Sequence, residues 1–194
     1  MLKEQKYSVL IASSNEKFDQ ILLSLLPANE YGPVDVVNSA GSARRKLLEM
    51  SYDILIVNAP LKDERGANFA VDCARETGMG IMLLLDASIF DEVSTVAEEY
   101  GVLCLSKPTN RAAVTSSLRL LCATRQRLKR MEKKASSFEE KIQEIKLVNR
   151  AKLLLMEKAD LSEEDAHRFI EKMAMDSRSP KVEIAQEIIT RYKE

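Results

Sequence analysis

The sequence has little of what catalytic and metal-binding proteins usually carry. Its 194 residues include one histidine, no tryptophan, three cysteines and six glycines. One histidine leaves almost nothing from which to build a His-based metal site or a Ser-His-Asp set, and no glycine-rich phosphate loop occurs. The sequence therefore predicts a protein that is not an enzyme and that needs no metal and no cofactor.

Long hydrophobic runs and paired cysteines are also missing. No stretch of about 18 uncharged apolar residues occurs, so we expect no membrane-spanning segment. The first six residues lead directly into a strand pattern, without the apolar run and cleavage site of a signal peptide. Cys73, Cys104 and Cys122 are odd in number and lack C-x-x-C spacing, which favours reduced thiols. These absences predict a cytoplasmic protein with no membrane partner.

Charge is divided unevenly along the chain. The formal net charge of −1 combines −6 over residues 1–110 with +5 over residues 111–194. Such a split indicates different partners for the two halves, and nucleic acid is one candidate for the basic half. Solvated helices also carry many charges, so the asymmetry alone leaves both interpretations open.

The first half contains a regular alternation of strand and helix patterns. Five short runs rich in Val, Ile and Leu show little polar alternation, which is typical of parallel strands covered on both faces. They are Ser8–Ala12, Val34–Asn38, Asp53–Asn58, Gly80–Asp86 and Val102–Ser106. Helical patterns separate them at a spacing that suits right-handed βαβ crossovers. The prediction is an α/β fold with a five-stranded, doubly wound parallel sheet, whose sites form at the carboxyl ends of the strands.

Lys107-Pro108 directly follows the fifth of these strands. With the alternating pattern, this dipeptide makes residues 6–120 resemble the receiver domain of two-component response regulators, which has a flavodoxin-like fold. The resemblance implies an aspartate that ends the third strand and accepts a phosphoryl group. It also implies an acidic pair after the first strand that holds Mg²⁺, and a lysine that pairs with the acyl phosphate.

The residues at the predicted phosphorylation site depart from that pattern. Asn58 ends the third strand, and its neutral amide is a poor nucleophile compared with a carboxylate. Ser13 and Ser14 stand where the family has its acidic pair, although Mg²⁺ usually keeps one or two carboxylate ligands. We therefore expect a pseudo-receiver that is not phosphorylated by the usual route.

Two further positions differ from the family. Asp86 stands where receivers have Thr or Ser, and Cys104 stands where they have an aromatic switch residue. The simplest role for Asp86 is an ion pair with Lys107. What replaces phosphorylation as input stays open between a protein partner, a small ligand and constitutive activity.

From Arg111 to about Met156 the chain has no glycine and no proline. Apolar residues recur with a seven-residue period between charged flanks, the pattern of a short coiled coil. The seam residues predicted to form a homodimer are Leu121, Leu128, Met131, Phe138, Ile142 and Ile145. A helix of this length extends about 70 Å, which favours a partner helix. The alternative is a single helix that packs its stripe onto the chain's own domains.

The last sixty residues predict three helices. The first continues the coiled coil, the second begins after Ser162 as N-cap with Asp165 three residues on, and the third begins at Pro180 after Ser179 as cap. The motifs Ala151-Lys152, Leu155-Met156, Ala166 and Ala174-Met175 make residues 140–192 resemble the ANTAR domain of RNA-binding antiterminators. Leu153 replaces a common glycine, and His167 stands where an aromatic residue is common.

The ANTAR resemblance implies binding of RNA stem-loops in nascent transcripts, which prevents a terminator hairpin from forming. The predicted contacts are basic or hydrogen-bonding residues, as RNA recognition requires: Arg150, Lys152, His167, Arg168, Arg178 and Lys181. Lys152 and Arg178 lie in the family motif, which favours RNA contact, whereas the alternative for the other four is an ordinary surface or packing role. The predicted organisation is a pseudo-receiver at 1–110, a coiled-coil linker at 111–138 and a small three-helix RNA-binding domain at 139–194. The alternative function is a protein-interaction scaffold that has lost RNA binding.

Overall fold

The computed structural model describes residues 6–192. Within this range the strands are Tyr7–Ser13 (β1), Tyr31–Val37 (β2), Ile54–Asn58 (β3), Gly80–Asp86 (β4) and Leu103–Lys107 (β5). The helices are Glu16–Ser24 (α1), Ala40–Glu49 (α2), Ala67–Glu76 (α3), Phe90–Glu99 (α4), Arg111–Ala159 (α5), Glu163–Ser177 (α6) and Lys181–Arg191 (α7). These residues divide into two compact units, one reaching Arg130 and the other beginning at Met131.

The first unit is a parallel sheet between two layers of helices. Its strand order is β2-β1-β3-β4-β5, and every neighbouring pair is parallel. Helices α1 and α5 pack on one face of the sheet, and α2, α3 and α4 pack on the other. The five-stranded, doubly wound sheet predicted from the sequence is therefore confirmed.

Strand β2 begins earlier than its apolar run predicts. The run starts at Val34, whereas the strand starts at Tyr31 and includes Pro33. Proline is tolerated here because β2 lies at the edge of the sheet, where a missing N–H need not weaken a ladder between two strands. The register against β1 also shifts between Tyr7 and Val9.

The first part of α5 belongs to the α/β core. Val114, Leu118 and Leu121 are at most 5% exposed and pack with β1, β3 and β4. Leu121 lies against Gly80, where an added Cβ would come within 3.3 Å of its side chain. The sequence prediction assigned Leu121 to the dimer seam and ended this domain at residue 110. The structure corrects the role of Leu121, because its side chain is already covered by the sheet.

An ionic contact holds the next turns of α5 to the amino-terminal edge of the sheet. Asp53, which is 8% exposed, accepts hydrogen bonds from the backbone N and the hydroxyl of Ser8. Its Oδ1 lies 3.4 Å from Arg125 Nε and 2.5 Å from Lys129 Nζ. One buried carboxylate thus joins the start of β1 and the start of β3 to α5.

The second unit consists of the last part of α5 with α6 and α7. Its core is small and apolar, with Ala151, Ala166, Ile170 and Ala185 fully buried. As predicted, Ser162 caps α6, and its hydroxyl accepts a hydrogen bond from the backbone N of Asp165. Helix α7 starts one residue later than predicted, because the Pro180 carbonyl accepts the first turn's hydrogen bonds and proline is the cap.

The three cysteines, all within the described residues, are free thiols. Across residues 6–192 we find no helix with the length and hydropathy needed to cross a membrane.

Candidate functional site

Ser13 and Asn58 meet at the carboxyl ends of β1 and β3. The parallel register places them opposite each other, and both are almost fully buried, at 2% and 5% exposed. Asn58 Nδ2 donates a hydrogen bond of 3.0 Å to Ser13 Oγ, which also accepts one from the backbone N of Asn15. Ser14 points elsewhere and donates to the Pro60 carbonyl. The strand order therefore brings Ser13 and Asn58 together as predicted.

Lys107, at the end of β5, completes this cluster. Its ammonium donates to Asn58 Oδ1 at 3.3 Å and to the Ala59 carbonyl. It also lies 3.3 Å from Asp86 Oδ1 at the end of β4, which is the ion pair expected from the sequence. Each polar group of the cluster is thereby matched to another side chain or to the backbone.

The cluster does not fit the Mg²⁺ ion that a receiver fold implies. Hard divalent cations need carboxylate oxygens, and the inward-facing oxygens here belong to a serine and an amide that already accept hydrogen bonds. The carboxylate nearest to Lys107, that of Asp86, is 57% exposed and engaged by the lysine. No part of the structure from 6 to 192 contains three or more His, Cys, Asp or Glu residues placed to hold a metal ion.

Asp19, on α1, is a buried acid that sequence patterns do not single out. Its side chain is 8% exposed, and among the described residues its Oδ1 has no hydrogen-bond partner. Burial raises the pKa of Asp19, the nearby Glu16 charge raises it further, and a hydrogen bond from the Ser13 hydroxyl opposes both. The sequence signal was only an acidic residue in the first turn of an amphipathic helix, which is commonplace.

In the second unit, three of the six predicted RNA-binding residues line one cavity. Lys152 from α5, His167 from α6 and Lys181 at the start of α7 surround a space of about 470 Å³. Asn149 of α5 lies in the same wall. Two cations, an imidazole and an amide therefore converge at the junction of three helices.

Acidic side chains balance these cations. Lys152 Nζ lies 2.9 Å from Glu163 Oε1, and the lysine side chain is only 16% exposed. Glu171 is shared by His167 Nε2 at 3.2 Å and by Lys181 Nζ at 2.5 Å. The pKa of Glu163 is lowered by Lys152, and that of Glu171 is lowered first by Lys181 and then by His167.

The other three predicted contacts lie outside this cavity. Arg168 forms an ion pair with Glu164 one turn away on the exposed side of α6. Arg178 follows α6 as its C-cap with a left-handed backbone, φ 54°, and its side chain is exposed. Arg150 is also exposed. The structure does not gather Arg150, Arg168 and Arg178 with Lys152 into a single patch around the cavity.

The apolar seam of α5 is exposed beyond the first unit. Phe138 is 63% exposed, Ile145 60%, Met131 56% and Ile142 50%, whereas Leu128 is 37% exposed. Large apolar side chains repeated along one helix face are unusual on a solvated surface unless another chain covers them. The seam residues that remain available after the correction of Leu121 are these five.

The two units resemble different known proteins. Residues 136–189 match the ANTAR domain family. The chain is similar to the transcriptional regulatory protein PdtaR of Mycobacterium tuberculosis (strain CDC 1551 / Oshkosh), with 25% identity over 184 residues. That alignment covers 93% of this chain and 88% of the relative.

Solved structures match the first unit. The signal receiver domain of an HD domain-containing protein from Pseudomonas fluorescens Pf-5 has a TM-score of 0.58 at 20% identity, over 67% of this chain and 96% of that one. A response regulator receiver domain protein from Clostridium thermocellum has a TM-score of 0.55 at 18% identity, over 64% and 98%. At these identities the likeness shows a receiver fold.

Proposed function

Because this chain joins a receiver fold to a C-terminal ANTAR domain, we propose that it is a transcription antitermination regulator that binds RNA stem-loops through its helical unit. The observation that carries the proposal is the cavity where Lys152, His167, Lys181 and Asn149 meet within the residues that match the ANTAR family. Single-stranded loop bases are recognised by hydrogen-bonding and stacking groups beside phosphate-binding cations. This set of side chains supplies both.

The affinity for RNA has to come from a few local cations of the helical unit. Residues 135–194 contain 11 basic and 13 acidic side chains, so the helical unit has no general attraction for polyanions. RNA phosphates would replace Glu163 and Glu171 as partners of Lys152 and Lys181. Such exchange makes binding selective for an RNA shape that reaches several of these cations together, and it makes affinity fall with salt.

The exposed seam of α5 supports a homodimer. A coiled coil through Leu128, Met131, Phe138, Ile142 and Ile145 would bring two helical units onto one RNA. Two linked modules bind a target with two hairpins more tightly than either module alone, without any new contact. We therefore expect tandem stem-loops to be the preferred ligand.

The receiver fold is proposed to work without phosphorylation. Asn58 replaces the nucleophile, and its amide is held between Ser13 and Lys107. Incubation with acetyl phosphate should leave the intact mass of the protein unchanged. A stable adduct of one phosphoryl group would contradict this part of the proposal.

RNA binding is tested by titrating the full chain with tandem hairpins and with an unrelated hairpin at several salt concentrations. Substituting Lys152→Ala together with Arg178→Ala should weaken binding to tandem hairpins by roughly tenfold to a hundredfold. The matched control is Lys158→Ala with Arg191→Ala. It removes the same charge from two residues that are not among the predicted RNA contacts and do not line the cavity, and it should change affinity less than about threefold.

Equal affinity for tandem and unrelated hairpins, or an unchanged affinity in the Lys152 and Arg178 variant, would overturn the proposal. The chain would then act as a scaffold that binds a protein through its receiver fold and seam.

A further inference from the structure

The receiver fold has a second crevice beside the degenerate phosphorylation site. The chain leaves β1 towards the face covered by α1, whereas it leaves both neighbouring strands, β2 and β3, towards the opposite face. Loops that diverge from adjacent strands open a crevice at their carboxyl ends. Such a crevice therefore lies on each side of β1. The one beside β3 is filled by Ser13, Asn58 and Lys107.

The crevice beside β2 is an open cleft of about 640 Å³. Its walls include Glu16 and Asp19 from α1, Asn38 after β2, Ser42 from α2 and Lys62. Asp19 is the unusual member, because it is 92% buried while its Oδ1 lacks a hydrogen-bond partner among the described residues. A buried carboxylate oxygen without a partner is costly, because it has lost its hydration without gaining a hydrogen bond. A cation that reached the Asp19 carboxylate from the cleft would lower that cost.

Charge in the cleft excludes an anion. Two carboxylates line it, and the nearest helix start is already occupied, because Asp63 accepts hydrogen bonds from the backbone N of Ala40 and of Gly41 at 2.8 and 2.9 Å. A divalent metal is also a poor fit, because the Lys62 ammonium in the same cleft repels a doubly charged ion twice as strongly as it repels an ammonium group. In addition, no three His, Cys, Asp or Glu residues of the described range are placed to hold a metal ion. A protonated amine needs one carboxylate partner and a few neutral acceptors, which Asn38 and Ser42 provide.

We propose that this cleft binds a small organic amine, with Asp19 as the counter-ion of its ammonium group and Glu16 as a secondary partner. The hydroxyl, amide and lysine groups around them suit an amine that also carries hydroxyl or carboxylate groups, such as an amino acid. This proposal is independent of RNA binding, because it concerns the receiver fold alone.

A polar relay connects the cleft to the degenerate phosphorylation site. Ser13 Oγ accepts hydrogen bonds from Asn58 Nδ2 and from the backbone N of Asn15, and Ser13 lines the same cleft as Asp19. Asn58 Oδ1 in turn accepts from Lys107. An ammonium ion at Asp19 would compete with Asn58 Nδ2 as a donor to the Ser13 hydroxyl oxygen. Ligand binding would thereby alter the hydrogen bonds of Lys107, which corresponds to the lysine that pairs with the acyl phosphate in receivers.

The test is direct binding by calorimetry and NMR on the full chain, with putrescine and the common amino acids as probes. At least one amine should bind saturably and shift the amide signals of Ser13 and Asp19. Asp19→Asn should weaken that binding by roughly tenfold to a hundredfold. Asp91→Asn, which changes an acid of α4 outside the cleft, should not alter it.

The melting temperature of the Asp19→Asn variant provides a second test that does not depend on ligand binding. In the absence of ligand, Asp19→Asn should raise the melting temperature, since it removes a buried charge that has no ionic partner between residues 6 and 192. Glu16→Gln should weaken amine binding less than Asp19→Asn. The proposal is overturned if no amine in the panel binds, if Asp19→Asn leaves binding unchanged or lowers the melting temperature, or if only Mg²⁺ or Ca²⁺ binds at Asp19.

Discussion

Helix α5 carries one apolar pattern through two different surroundings. At its start, Leu118 and Leu121 are at most 5% exposed and form part of the α/β core. Some five turns later, Phe138 and Ile142 continue the same spacing but are 63% and 50% exposed. The side chains are of one kind in both places. Leu118 and Leu121 are covered by the sheet of their own unit, whereas Phe138 and Ile142 remain exposed.

The comparison shows what a heptad pattern does and does not specify. Spacing determines which side chains share a face of a helix, because the helical repeat is fixed. Whether that face meets the chain's own sheet or a second helix depends on what the rest of the fold leaves uncovered. Leu121 packs against Gly80 because the sheet lies beside this part of α5, and the sequence of α5 alone does not specify that contact.

The largest expected effect comes from changing the exposed apolar residues of α5. Phe138→Asp with Ile142→Asp places charges in the seam of both copies of a dimer and should weaken dimerisation by about a hundredfold or more. Sedimentation equilibrium measures the change. The control Lys133→Asp lies on the opposite side of the heptad and should leave the dimer intact. A parent chain that is monomeric over the same concentrations would contradict the prediction.

The next effect concerns the buried half. Leu121→Ala should lower the free energy of unfolding of the α/β unit by about 2–5 kcal/mol, through lost burial and the cavity left against Gly80. Its neighbour Leu120 is 57% exposed, so Leu120→Ala should change stability by less than about 0.5 kcal/mol. Urea denaturation followed by circular dichroism gives both values. Similar losses for the two variants would show that Leu121 is not a core residue.

The smallest expected effect concerns the ionic contact of Asp53 with α5, between the buried and the exposed apolar residues of that helix. Asp53→Asn removes the charge that Arg125 and Lys129 share and should cost about 1–3 kcal/mol of stability. Asp72→Asn alters an exposed pair with Arg44 at 3.8 Å, for which less than about 1 kcal/mol is expected. Both variants can be compared in the same urea titrations. If Asp53→Asn proves as mild as Asp72→Asn, the ionic contact does not anchor α5.

Much of the fold was predictable because it rests on local chemistry. Alternating apolar runs and helical stripes place the five strands and the α/β class, and the Ser162 cap marks the start of α6. Asn58, Ser13 and Lys107 could be named as one cluster because parallel strands bring their carboxyl ends together. The start of β2 at Tyr31 could not be read, because a proline argues against a strand unless that strand lies at the edge of a sheet, and only the tertiary structure places β2 at the edge.

The candidate sites were only partly predictable. Basic residues of the helical unit could be named from motif letters, but their acidic partners could not, because Glu163 and Glu171 meet them across helices. Asp19 gave only the commonplace signal of an acidic residue in the first turn of a helix. Its burial depends on residues from other segments that surround it, which no local pattern specifies.

The sequence by itself determined the two classes of unit, the asparagine rather than aspartate at the end of β3, and the continuous helix between the two units. Each follows from residue type and spacing, which act within one strand or one turn. Tertiary structure alone decided that Leu121 belongs to a core while Phe138 does not, that Lys152 faces Glu163, and that Asp19 is buried beside an open cleft. These outcomes depend on surfaces contributed by segments far apart in the chain, so burial and pairing become defined only when those segments pack.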